Sequence, residues 1–302
     1  MAHTDGWLGW ALPVMRTGYA GRGLTYIAVA GLSLWLIFRG GEAQGTESAF
    51  AILEDTIWGK AVLVGIVGGL IAYAIWRLID AAFDLERYGT DGEGIVARLG
   101  MVTTGLVHGA LGVAAAGVLS SGGGSGGSGG SGGAGSSGGQ GSSGGGSDGV
   151  TGIVSTVLGW PGGRWIVLVA GLLTLGAAAY YAKKAWKSEY RKNLFGNEFT
   201  RKWKTVLRIG VAAQAVVVAV AGGLLVLAGL QGDPDEAGGL GRVFEWLQSQ
   251  AFGNVLVILL CIGLLFFAVF CFVNAAYRII PALHDEDDMP ETLGDSLREA
   301  RS

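Results

Sequence analysis

R-T-G-Y-A-G-R-G-L-T-Y at Arg16–Tyr26 opens the stretch that decides the fold, and Y-A-I-W-R-L-I-D-A-A-F at Tyr73–Phe83 closes it. Between them lie two apolar runs, and the pattern then returns twice. The opening recurs as R-L-G-M-V-T-T-G from Arg98 and R-I-G-V-A-A-Q-A from Arg208, the close as K-A-W-K from Lys184 and N-A-A-Y from Asn274. Opening Arg and closing polar residue stand 64, 86 and 66 residues apart in the three copies, so the second copy carries an insert. A repeat at fixed spacing means one supersecondary unit used several times. The repeats are placed at 16–90, 98–190 and 205–280, followed by an acidic tail at 281–302.

Half of the 302 residues are hydrophobic and 15% are charged, with a mean hydropathy of +0.47. That is the composition of a membrane protein. Six apolar runs of about 20 residues suffice to cross a hydrocarbon core as helices. They are expected near Thr17–Phe38, Lys60–Ile79, Leu99–Leu119, Trp165–Ala182, Val206–Leu230 and Val255–Phe272. The fold class is therefore all-α: a polytopic membrane protein of six transmembrane helices, arranged as three parallel two-helix repeats. Two crossings per copy make all copies enter the membrane in the same sense, unlike the inverted repeats of many alternating-access carriers.

Basic residues set the orientation, because Lys and Arg are retained on the cytoplasmic side. The N-terminal flank, the second and fourth connections and the tail hold 17 of them; the opposite loops hold four, Arg39, Lys60, Arg164 and Arg242. Both termini are expected in the cytoplasm. The first 15 residues carry no basic-led apolar core, so the first span is expected to serve as an uncleaved insertion signal.

On the opposite side each repeat holds a short segment with helical apolar spacing, marked by Phe50, Ile52, Leu53 and Ile57, by Val150, Ile153, Val154, Val157 and Leu158, and by Leu240, Val243, Phe244 and Leu247. These are expected to be amphipathic helices at the interface or capping the bundle. Residues 120–147 are almost pure Gly and Ser, which bury nothing, and are expected to form a disordered insert. The basic connection 183–208 has nine Lys and Arg and suits anionic lipid headgroups. Nucleic acid is not an expected partner, and a membrane protein partner is left unidentified.

Polar residues inside a membrane are costly and so are candidates for function. Aligning the openings brings Arg22, Thr104 and Gln214 to one level, with Tyr26 and His108 one turn further on the same faces. These five are the candidate polar collar, able to bind an anion or relay protons, or else simply to hydrogen-bond between helices. Gly65 and Gly69, and Gly105 and Gly109, are G-x-x-x-G pairs that allow close helix packing. Cys261 and Cys271 fall ten residues apart in one helix, about 15 Å along its axis, and cannot bridge within it. A single intramembrane His without nearby Cys or carboxylate does not make a metal site. No H-E-x-x-H, G-x-S-x-G, C-x-x-C or phosphate-loop pattern is present, so neither catalysis nor a cofactor is expected.

The R-x-G-Y-A-x-R-G-like opening at Arg16 and the Y-A-x-W-like close at Tyr73 resemble those of a bacterial membrane family catalogued as domain of unknown function 1206. The resemblance implies about three two-helix units in a bacterial inner membrane, and no established activity. Copy two departs from the pattern at Met101 and Thr104, copy three at Val211 and Gln214.

Overall fold

The protein is described from a computed structural model, which covers residues 10–121, 148–187 and 202–278. The Gly/Ser insert, most of the basic connection and the acidic tail lie outside the described residues. Nine α-helices are present among them: α1 Ala11–Ile37, α2 Thr46–Glu54, α3 Ile57–Phe83, α4 Gly92–Ser121, α5 Asp148–Leu158, α6 Gly163–Lys187, α7 Lys204–Gln231, α8 Leu240–Gln248 and α9 Gly253–Tyr277. Six are long and apolar enough to span a membrane: α1, α3, α4, α6, α7 and α9.

The spans run several residues past the apolar runs, because helices end where capping allows rather than where hydropathy falls. Asp84 and Gly232 close α3 and α7 in the left-handed conformation, at φ of 50° and 76°. The Thr56 hydroxyl caps the start of α3 by accepting the Gly59 N–H at 3.0 Å. That cap reassigns Ile57. Expected on the second helix, it instead begins α3 and is exposed.

The spans pack α4 on α3, α3 on α1, α1 on α9, α9 on α7 and α7 on α6. The spans thus form a run, α4–α3–α1–α9–α7–α6, whose two end helices, α4 and α6, share no substantial interface among the described residues. Those two are also the least buried spans. The three repeats are parallel, and α2, α5 and α8 sit together at the end opposite the start of α1. All three cap the bundle. Phe50 of α2 is fully buried against Leu63, Ile66 and Ala115. Val243, Phe244 and Leu247 of α8 fill the space between α1 and α9. Val154 of α5 packs on Val167 and Ala228, with the Thr151 hydroxyl donating to the Ala237 carbonyl at 2.9 Å.

Small residues set how closely the helices approach, since lipid gives apolar faces no reason to leave it. A methyl at Gly18 would lie 2.6 Å from the Tyr73 Cα, and Gly21 lies directly on Gly69. The third copy repeats the contact: a methyl at Gly210 would lie 2.6 Å from the Phe267 backbone nitrogen. Gly18 and Gly210 are the glycines two residues after the opening Arg. Their counterpart in copy two, Gly100, meets nothing within 4 Å, because α6 is not there to meet it. Of the two glycine pairs, Gly69 is at the α1–α3 crossing, while Gly65 makes only ordinary contact with Leu24. Gly105 and Gly109 line the α3–α4 interface against Ala74 and Arg77.

These distances order the consequences of enlarging each glycine. Gly69→Leu is expected to destabilise the bundle by at least the 1–3 kcal/mol typical of overpacking, whereas Gly65→Leu and Gly100→Leu stay near wild type. Thermal unfolding of the purified protein in mild detergent checks the order, and a loss at Gly100→Leu equal to that at Gly69→Leu would contradict it.

Candidate functional site

Arg22 sits on α1 among its neighbours' side chains, 4% exposed. Its Nη1 donates to the Tyr73 hydroxyl at 2.8 Å, and its guanidinium lies 5.0, 5.2 and 5.7 Å from the ring centroids of Phe267, Tyr73 and Tyr26. Three aromatic faces around one guanidinium supply cation–π stabilisation in place of a carboxylate. Tyr26 meets Phe267 edge-on at 5.0 Å, and Tyr73 is tilted against His108 at 4.8 Å. The Nε of Arg22 has no partner among the described residues.

The collar residues thus separate. Arg22, Tyr26 and His108 gather round Tyr73. His108 places Nδ1 2.8 Å from the Thr104 carbonyl, which can only accept, so Nδ1 carries the proton. Thr104 turns back onto its own helix, its hydroxyl donating to the Gly100 carbonyl at 2.6 Å. Gln214 is buried on α7, its Oε1 unpartnered among the described residues and apart from the other collar side chains.

Sequence reasoning missed the two rings that build the box. Tyr73 and Phe267 each precede a closing polar residue, Asp80 or Asn274, by seven positions, while copy two has Ala177 there. The shared offset was a usable signal. It goes unnoticed when the openings alone are aligned.

A second polar layer lies one to three turns towards the side holding the described chain ends. The Tyr73 oxygen also accepts from Arg77 Nε at 3.0 Å, so two guanidiniums converge on one phenol. Arg77 reaches Asp80 at 3.4 Å and Glu86 at 3.9 Å. Asp80 in turn accepts the backbone N–H of Glu86 at 3.2 Å. Arg278, at the end of the last span, pairs with Glu86 through both Nε and Nη2 and donates to Asn274 Oδ1 at 2.7 Å. The Tyr88 hydroxyl donates to the other Glu86 oxygen at 3.1 Å. Two closing residues, Asp80 and Asn274, therefore hold arginines in place. The third, Lys184, lies 5.8 Å from the Tyr180 ring.

Burial alone would raise the Glu86 carboxyl, but the guanidiniums of Arg278 and Arg77 outweigh it and hold the group down at about 2, against an ordinary 4.5. Counted together among the described residues, Arg22, Arg77, Lys184 and Arg278 face only Asp80 and Glu86, so this described layer has more positive than negative charge. Chemically this is an electropositive, aromatic-lined interior. Among the described residues no three His, Cys, Asp or Glu side chains come together in the way a metal ion requires.

The pattern of one protein family, described as Domain of Unknown Function (DUF1206), matches residues 17–84, 135–188 and 209–278. The chain belongs to this family. Its three matched segments fall one in each repeat, the second taking in only the later part of copy two and not α4, and together they include Arg22, Tyr73, Asp80, Lys184, Asn274 and Arg278. The chain is also similar to the uncharacterized protein YxxB of Bacillus subtilis (strain 168), 22% identical over 274 residues, covering 89% of this chain and 92% of the relative. No solved structure matches.

The position of Glu86 fixes a pH dependence. Its carboxyl titrates lower in the folded protein than in the unfolded chain, so its contribution is complete above about pH 4.5 and is lost as pH falls towards 2. Glu86→Gln is expected to cost about 3–5 kcal/mol at neutral pH, the range for breaking one side of a buried pair. The double variant Glu86→Gln with Arg278→Met should recover much of it. Chemical denaturation in detergent across pH measures both; a cost unchanged at the acid end would contradict the assignment.

Proposed function

We propose that the chain is a non-enzymatic scaffold or accessory subunit of a bacterial inner membrane, with both termini cytoplasmic. The orientation rests on the 17-to-4 distribution of Lys and Arg between the two sides. Gly100 carries the functional reading. In copies one and three the matching glycine is covered by the second helix of its own repeat; in copy two it faces open space. The edge between α4 and α6 is thereby a small-residue helix face prepared for close packing, and a partner's transmembrane helix packs there. Anionic lipid headgroups would neutralise the basic connection at 183–208.

The competing reading is a small-solute, ion or proton pathway along the bundle axis, favoured by Arg22 with its unpaired Nε beside His108. Against it stands the far half of the bundle, where Val29, Val243, Phe244, Leu260 and Leu264 pack into a continuous apolar plug. Among the described residues that plug offers a hydrated path no continuous polar lining, and without one an ion meets the full cost of apolar surroundings.

Two measurements separate the readings. Vesicles holding the purified protein are expected to pass chloride, potassium and protons no faster than protein-free vesicles, at neutral and mildly acid pH alike. Flux that responds to Arg22→Ala or His108→Ala would establish a pathway and remove the scaffold reading. In native membranes, Gly100→Cys treated with a short bifunctional maleimide is expected to form a higher-mass adduct, while Val64→Cys on an exposed face does not. Cys261 and Cys271 are buried and leave the background low.

A further inference from the structure

The helices α6 and α7 touch most closely at their far ends. A methyl at Gly171 would lie 2.7 Å from the Val226 nitrogen, and one at Gly229 would lie 2.8 Å from that of Leu168. Towards the other end alanines replace the glycines and the two surfaces part. Ala178, Ala182 and Ala185 of α6, with Ala212, Ala215 and Ala219 of α7, line an open groove of about 760 Å³. Its length along α7, from Thr205 to Ala219, is about 21 Å at the helical rise. Half a hydrocarbon core is about 15 Å. The groove therefore spans one leaflet from headgroup level to the midplane, and no further.

Its mouth is cationic. Arg208 lines the groove beside Thr205 and holds its guanidinium 5.6 Å from the centre of the exposed Trp186 ring. No carboxylate among the described residues pairs with it. The flanking segments 175–187 and 202–219 contain Lys183, Lys184, Lys187, Lys202, Lys204 and Arg208 and not one Asp or Glu. An apolar slot one leaflet long, with a guanidinium and a hydroxyl at its headgroup end and lysines on both sides, has the chemistry of a single amphiphile. We propose that it binds an anionic phospholipid, one acyl chain lying along the alanines and the phosphate on Arg208. This requires only that α6 and α7 span a membrane, and stands whether or not the scaffold reading does.

The full-length protein in vesicles tests it through Trp186 fluorescence, identified as the signal that Trp186→Phe removes. The probes are brominated phosphatidylglycerol and brominated phosphatidylcholine, each diluted into unlabelled phosphatidylcholine. A basic residue at the membrane surface favours an anionic lipid by about fivefold, so half-quenching by the anionic probe is expected at about one-fifth the mole fraction of the zwitterionic one. Arg208→Gln, an exposed position, should make the two probes equal. Ala212→Phe, filling the slot, should weaken quenching by both while the helical circular dichroism is kept. Equal quenching in the wild type overturns the proposal, as does a preference that survives Arg208→Gln. Protection of Trp186 from both probes also overturns it, because protein would then cover the groove, the acidic segment 281–302 being the nearest candidate by charge.

Discussion

A buried charge in a helix bundle must be matched where it lies, and among the described residues the carboxylate that ties distant parts of the chain together is Glu86. Glu86 is buried and receives Arg278 from the last span and Tyr88 from its own loop, with Arg77 close by. The pair Glu86–Arg278 joins residues 192 positions apart, linking the end of the first repeat to the end of the third. Taking either partner away leaves the other charged and desolvated, which is far costlier than never having placed the pair. Helix packing in lipid has no hydrophobic drive behind it, so this polar link holds the α3–α4 connection against the end of α9 where apolar surfaces alone would not.

The repeat explains the geometry of the site, and its imperfection explains why there is only one. Closing helices present equivalent positions to the interior: Tyr73, Ala177 and Phe267 in one set, Arg77, Tyr181 and Cys271 in another. A strict threefold protein would have three identical boxes. Here the cation survives only in copy one, as Arg22, and its aromatic walls come from copies one and three. The divergence of Thr104 and Gln214 from Arg turns a symmetric collar into a single off-axis site.

The long-range order of this architecture was legible because its signals are one-dimensional. Span number, parallel sense and the capping helices follow from hydropathy, basic-residue placement and periodicity, each of which survives in a linear text. Glu86 shows where that stops. In sequence it is one acid in a polar loop, D-L-E-R-Y from Asp84 to Tyr88, next to an Arg that invites a surface pairing. Only folding brings Arg278 to it. Thr104 shows the opposite failure. Alignment placed it in the collar by register, but a threonine in a helix can satisfy its hydroxyl on the carbonyl four residues back, and local bonding wins over a distant partner. The glycine pairs were legible as motifs without being legible as contacts, since Gly65 and Gly69 read alike and differ only in what α1 sets opposite them.

The open interface and the long insert fall in the same repeat, and the physics suggests which permits the other. In copy one the connection after α1 is held by the Ser33 hydroxyl, which donates to the Gln44 carbonyl at 3.1 Å and accepts the Gln44 N–H at 3.0 Å. Such a loop must match the distance between two helices already packed. Copy two imposes no such match, because α4 and α6 share no substantial interface among the described residues and no fixed spacing has to be met. Loop closure entropy rises only with the logarithm of length, about 0.6 kcal/mol for each doubling, so extra glycine and serine cost little where nothing is to be aligned. Loss of the α4–α6 contact therefore relaxes the constraint on connection length. The reverse does not hold, since a long connection still allows two complementary helices to pack.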